Sequence, residues 1–283
     1  MTVVVVTDAA SCLPADLLDQ SAIRVVPLHI LLDGVDLRDG VDEVPDDLYK
    51  RQATTAAATP AELADAYQQA LRDSGGDGVV AVHISSALSG TFGSAERTAA
   101  DLDPAIRVVD SRSAAMGTGF VALAAARAAA GGADLDAVAG AARAAVSCSH
   151  SFIVVHRLDN LRRSGRIGGP QAWLGTALAL KPLLRIDDGK LVLAQRVRTV
   201  SNATTAMIER VCAVAGDGPA ALAVHHVANP DGASEVAARL AQRLPECEPA
   251  VVTPLGPVLG LHVGPGAVAV CVGLGTKGLG TKD

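Results

Sequence analysis

The sequence predicts a two-domain α/β fold: a mainly parallel sheet with flanking helices first, then a mixed α/β layer. Three observations carry this expectation. Short apolar, β-branched runs alternate with helical segments through the first half, the pattern that builds parallel sheets. The helical segments announce their own starts, as in the capping box Thr59-Pro60-Ala61-Glu62 and the N-cap residue Asp134. Beyond Cys148 the alternation loosens, which places residues 1–148 in one domain and 149–283 in another.

Val3–Val6 is a near-continuous β-branched run ending in Thr7-Asp8, the pattern of a buried parallel strand. Ile23–Leu32 reads as a second strand and Gly34–Gly40 as a turn-rich excursion. The helix after Thr59 places Leu63, Ala66, Tyr67, Ala70 and Leu71 on one face. A strand at Val79–Ile84, a helix from Thr91, a strand at Ile106–Val109 and a helix over Ala114–Ala130 follow. A further helix starts after Asp134 and runs to about Val146. In the second half, strands are expected at Phe152–Val155, Leu191–Val197, Ala220–His226 and Ala250–Thr253, with helices at Ala203–Ala215 and Ser234–Leu244. Arg157–Pro170 reads as a basic, glycine-rich loop, and an Asp187-Asp188-Gly189 turn precedes Leu191.

Composition narrows the function. Hydrophobic residues make up 49% and charged residues 19% of 283, so the chain folds around sizeable cores. A net charge of -6 and a pI near 5.6 argue against a general nucleic-acid binder, which needs a basic face. No run approaches the roughly 18 apolar residues of a membrane span, and the Met1–Val6 start lacks a basic n-region before Asp8. The cysteines, at 12, 148, 212, 247 and 271, are odd in number and scattered, without a C-x-x-C pair. Reduced thiols in a cytoplasmic protein are therefore expected, with neither a disulfide frame nor a metal site.

The most chemically loaded stretch is Ser85-Ser86-Ala87-Leu88-Ser89-Gly90-Thr91, where a buried strand passes into a helix. A helix start leaves backbone N–H groups without partners and carries the positive end of the dipole. Hydroxyls there offer an anion a ready cradle, and four in seven residues exceed what a cap requires. Thr54-Thr55 either add a hydroxyl near this turn or are ordinary loop polarity. His262, in a Gly/Pro-rich turn, serves structure or a ligand, and Gly264 and Gly266 allow close approach to backbone. Arg157, Arg162 and Arg163 read as solvated or as a docking surface for an acidic partner, while Arg166 points inward at an acid group.

Other chemistries lack their motifs. Ser89, His262 and Asp8 raise a serine hydrolase acting on acyl esters, yet the G-x-S-x-G elbow is absent. There is no phosphate loop and no H-E-x-x-H, and His225-His226 point opposite ways on a strand. Gly273-Leu-Gly275-Thr-Lys-Gly278 spells a dinucleotide fingerprint within a repeat, but no helix follows it, and a flexible tail is expected.

Thr7-Asp8, Pro27-Leu28, the Ser85–Thr91 motif, Asp110-Ser111, Gly165-Arg166-Ile167, Lys181-Pro182 with Asp188-Gly189, and His262-Val263-Gly264-Pro265-Gly266 occur in that order. Together they resemble the DegV family, bacterial fatty-acid-binding proteins that serve as lipid-carrying subunits of fatty acid kinase. The resemblance spans Thr7 to about Gly266. It implies a DegV-like two-domain fold with a long-chain fatty acid buried within and between the domains, and no other cofactor. It further implies that Ser89 and Thr55 bond the carboxylate, beside Ser86 and Gly90, with His262 and Arg166 in the surrounding polar network. A kinase subunit would phosphorylate the bound acid, making an acyl phosphate for phospholipid synthesis; the chain itself would be no enzyme. Two departures stand out: Ala9 replaces the serine of the usual Thr-Asp-Ser, and Thr55-Ala56-Ala57-Ala58-Thr59 replaces Thr-Ser-Gln-Pro-Ser. The carboxylate's threonine is thus Thr54, Thr55 or Thr59. A dihydroxyacetone-kinase-like carrier, holding its substrate on histidine, is a further alternative of similar fold type.

An amphiphile suits these residues. Burying a tail of roughly sixteen carbons, at about 0.8 kcal/mol per methylene, gives on the order of 12 kcal/mol. An unpaired buried carboxylate would cancel several kcal/mol of that, and two hydroxyl bonds to the charged head, at about 1.5–3 kcal/mol each, offset much of the loss.

Overall fold

The computed structural model describes residues 2–167 and 181–275. The chain forms two compact units. The first holds the residues up to Ser147 together with Gly256–Val258; the second holds Cys148–Leu255 and the residues from Leu259 onward.

In the first unit, β1 (Val4–Asp8) lies between β2 (Arg24–Val26) and β6 (Val79–His83), and β7 (Ile106–Asp110) completes a four-stranded parallel sheet of order β2-β1-β6-β7. Every residue of β6 is buried, as a central parallel strand covered on both faces requires. Helix α2 (Pro60–Ser74) begins with the expected reciprocal capping box, Thr59 with Glu62, and buries Leu63, Tyr67 and Ala70. Helices α3 (Thr91–Leu102), α4 (Met116–Ala130) and α5 (Leu135–Val146) follow, the last capped by Asp134. Helix α4 contacts β1, β6 and α5, which explains why its sequence is apolar nearly all round.

Two expectations are corrected here. Ile23–Leu32 is not one strand: Pro27 separates β2 from β3 (His29–Leu32), which is the central strand of a different, three-stranded sheet. The Gly34–Gly40 excursion contains β4 (Val35–Arg38), and Thr54-Thr55 lie on β5 (Ala53–Ala56), both antiparallel to β3. The link between β3 and β4 is Asp33-Gly34, both at positive φ (49° and 82°), the geometry of the tightest hairpin turn.

The second unit is a six-stranded mixed sheet of order β10-β9-β8-β13-β11-β12. Its strands are β8 (Ser149–Val154), β9 (Leu183–Asp187), β10 (Lys190–Gln195), β11 (Ala220–His226), β12 (Val251–Pro254) and β13 (Val268–Leu274). Among its described strands, β11 and β12 pair parallel and the other neighbours pair antiparallel. Helices α7 (Val200–Ala215) and α8 (Pro230–Arg243) pack on it through Met207, Val211, Val236 and Leu240 against Leu222 and Val270. Asp159–Ser164, expected as loop, forms a short helix, α6, closed by Gly165 at φ 69°. His262 lies near the end of another short helix, α9 (Pro257–Val263), rather than in a turn. The rest of the expected basic loop, residues 168–170, and the tail repeat beyond Gly275 fall outside the described residues. No helix among the described residues is long and apolar enough to cross a membrane.

Candidate functional site

In an open parallel sheet, ligands bind beyond the carboxyl ends of the strands. The serine turn lies there, directly after β6. Its frame is backbone: the Ser85 carbonyl accepts the amides of Leu88 (3.0 Å) and Ser89 (3.1 Å), and the Ser85 amide donates to Ser113 O (2.9 Å). The Ser85 hydroxyl, itself buried, accepts the Ala87 amide at 3.2 Å. The Ser86 amide donates to both oxygens of Asp110 at 3.3 Å, while its side chain stands exposed.

Ser89 is half-buried and Gly90 is exposed. Gly90 is the N-cap of α3 and supplies no side-chain cap; the Ser89 Oγ instead accepts the Thr91 amide at 3.3 Å and contacts the Thr91 Oγ1 at 2.9 Å. A hydroxyl has one hydrogen and two lone pairs. When the fully buried Thr91 donates, the Ser89 oxygen has both lone pairs engaged and its own hydrogen remains for an incoming anion. The turn therefore brings Ser86, Ser89 and Gly90 together at the positive end of α3.

The three candidate threonines separate. Thr59 accepts the Glu62 amide at 3.2 Å and holds Glu62 Oε2 at 2.7 Å, so the capping box engages its hydroxyl. Thr54 is exposed, whereas Thr55, on the opposite face of β5, is half-buried and pairs in register with buried Ile30.

In the second unit, His262 and Arg166 are close enough to interact. Burial, with the Arg166 charge adding to it, pushes the His262 imidazole down to about 4. His262 is therefore neutral at physiological pH, and Arg166 is the cation of the pair. Arg166 is half-buried and donates to Ser164 O at 2.5 Å. Arg157 is exposed and pairs with Asp159 at 2.8 Å, Arg163 donates to Asn160 at 2.6 Å, and Arg162 is exposed in the last turn of α6.

The glycines after His262 have an occupant that the sequence did not reveal. A Cβ on Gly264 (φ 82°) would lie 2.9 Å from Asn160 Nδ2, and one on Gly266 (φ 86°) only 2.3 Å from His156 Nδ1. Protein side chains make a close approach at both positions. The Lys181 ammonium donates to His156 O at 2.9 Å. Burial, and then Lys181, lower the His156 pKa.

Asp8, considered above as a hydrolase acid, is committed elsewhere. Its carboxylate accepts the amides of Ala10 (3.0 Å) and Ile84 (2.9 Å) and meets His83 Nδ1 at 2.9 Å. His83 and Tyr67, which complete this cluster, carried no signal as isolated residues. The register of β1 beside β6 places Asp8 next to His83 and could have revealed the pair. Among the described residues, no group of His, Cys, Asp and Glu is arranged to hold a metal ion.

Known proteins share this chain's sequence pattern and fold. A family model described as "Uncharacterised protein, DegV family" matches residues 2–273. A DegV domain-containing protein of Mycobacterium tuberculosis is 74% identical over 277 residues, covering 98% of this chain and 99% of its own length. Among solved structures, a DegV family protein from Corynebacterium glutamicum superposes with a TM-score of 0.85 at 32% identity, covering 98% of this chain and 100% of that one. A DegV family protein from Thermus thermophilus, described for its fatty acid binding, gives a TM-score of 0.89 at 33% identity, covering 97% of this chain and 100% of that one.

Proposed function

We propose, from the premise that this chain belongs to the DegV family, that it binds a long-chain fatty acid and presents the carboxylate to a fatty acid kinase for acyl-phosphate formation. In this reading Ser89 donates to the carboxylate and Thr55 is the second hydroxyl. Ser86 and Gly90 shape the turn, and His262 and Arg166 contribute the polar network that the family resemblance assigns them. The protein acts as a substrate carrier in the cytoplasm, not as an enzyme, and Arg157, Arg162 and Arg163 form the surface that meets an acidic kinase partner.

The observation that carries the proposal is the Ser89 hydroxyl, half-buried at the start of a helix whose N-cap glycine gives no side-chain cap, and left with a hydrogen to give when Thr91 donates to it. A carboxylate satisfies that donor, and tail burial supplies the affinity. The fatty acid binding described for the Thermus thermophilus relative supports the same class of ligand. Ser89→Ala is expected to lower radiolabel transfer from ATP to the bound acid in the presence of a partner kinase, by about tenfold for one charge-assisted hydrogen bond, with the circular dichroism spectrum unchanged. Unaltered transfer would remove Ser89 from the site. Charge reversal at Arg157, Arg162 and Arg163 is expected to lower transfer at constant lipid content, and loss of the lipid would assign these arginines to the pocket instead.

A further inference from the structure

Three polar side chains with no exposed surface sit beneath the serine turn: Tyr67 on α2, His83 at the end of β6 and Asp8 at the end of β1. The Tyr67 hydroxyl lies 2.7 Å from His83 Nε2, and His83 Nδ1 lies 2.9 Å from Asp8 Oδ2. We propose that these three residues form a positioning relay that holds the Ser85–Thr91 turn in register for an acid head group; this rests on the fatty-acid reading above.

The hydrogens can be placed by their chemistry. Both Asp8 oxygens already accept backbone amides, so His83 Nδ1 must bring a hydrogen to Oδ2. Burial, and then the Asp8 charge, push the Tyr67 phenol up from its ordinary value, so it keeps its hydrogen and donates to Nε2. Every link then runs in one direction: Tyr67 to His83, His83 to Asp8. Asp8 Oδ2 also receives the Ile84 amide, the residue immediately before Ser85. Ser85 in turn is the base of the turn, its carbonyl taking the Leu88 and Ser89 amides. The relay thus ends one peptide away from the frame that aims the Ser89 hydroxyl.

This cluster exceeds what packing needs. A polar network without solvent contact is costly unless every member is satisfied, and a hydrophobic trio would fill the same volume. What the network adds is a fixed peptide orientation at Ile84, and hydrogen bonds to a ligand depend on sub-ångström placement of the donor.

Tyr67→Phe removes one hydroxyl and leaves the ring. His83 keeps its Nδ1 hydrogen on Asp8 Oδ2, but its Nε2 is left buried without a donor and the ring is no longer anchored at its far end. The Asp8 Oδ2 that takes the Ile84 amide then loses its fixed position. The test uses purified, delipidated full-length protein and displacement of a fluorescent acyl probe by hexadecanoic acid and by hexadecanol. The alcohol has the same tail and lacks the carboxylate. The relay predicts an acid affinity about five- to tenfold weaker in Tyr67→Phe, on the scale of one hydrogen bond, with alcohol affinity within twofold of the wild type. Asp8→Asn should give the larger loss in the same direction. Equal weakening of acid and alcohol, or no change in their ratio, would reduce the cluster to a structural role and overturn the inference. Wild-type protein that binds neither ligand would instead sink the fatty-acid reading itself.

Discussion

Asp39 provides the sharpest test of the electrostatics in the first unit. Its side chain is only 7% exposed. Its Oδ2 accepts a long bond from the Val258 amide (3.4 Å), and it lies against Gly256, where a Cβ would sit 3.2 Å from Oδ2 and 3.8 Å from Cys12 Sγ. Burial pushes the carboxyl up to about 6; the Val258 amide opposes this and the Asp8 charge adds to it. Tyr49 is the other titratable group that senses it. The folded protein therefore binds more protons than the unfolded chain between pH 3.8 and about 6, so stability falls as pH rises through that window. With the unfolded value at 3.8 and the folded one at about 6, roughly 2 kcal/mol is lost between pH 4 and pH 8. Asp39→Asn keeps an oxygen for the Val258 amide and removes the charge. Its constant offset reflects burial of the new amide group; the pH-dependent part does not. In urea titrations followed by circular dichroism, the stability of Asp39→Asn relative to wild type should rise by roughly 2 kcal/mol from pH 4 to pH 8. A difference that stays flat across that range would show that Asp39 ionises without cost and refute the reasoning.

Three further outcomes are expected. His29 is pulled down by burial, but bonds to Glu62 and Asp36 (2.8 Å each) and their charges outweigh this and raise it above 6.5. The stabilisation it supplies is complete below pH 6.5 and fades as pH rises through the raised value, so His29→Gln should cost more stability at pH 5.5 than at pH 9 in urea titrations. Arg166→Gln removes a cation beside His262 and should raise the His262 pKa from about 4 in an NMR titration, while burial keeps it below 6.5. Gly266→Ala meets both a left-handed backbone and the His156 ring, and should lower stability by at least about 1 kcal/mol in denaturant titrations; an unchanged midpoint would mean the His156 ring swings away freely.

Much of the fold was legible because its signals are local. The β-branched runs of β1 and β6, the Thr59–Glu62 capping box and the Asp134 cap each specify their element through neighbouring residues. Strands β4 and β5 were not legible, because Val35–Arg38 and Ala53–Ala56 become strands only by pairing with β3, a long-range choice. Asp33-Gly34 did carry a hairpin signal, which reads as plain loop when the flanking runs are short. At the candidate site, the hydroxyl-rich turn announced itself by composition. The Tyr67–His83–Asp8 cluster did not, since its members are sixteen and seventy-five positions apart in sequence and meet only through parallel strand register and the packing of α2 on the sheet. The packing of His156 and Asn160 on Gly266 and Gly264 was hidden for the same reason.

The central claim is that an acid head group with a long apolar tail occupies this protein. Mass spectrometry of an organic extract from the purified, non-delipidated chain tests it most directly. The account predicts one long-chain fatty acid per chain, reduced in Ser89→Ala. Protein recovered empty, and unable to take up hexadecanoic acid afterwards, would contradict it.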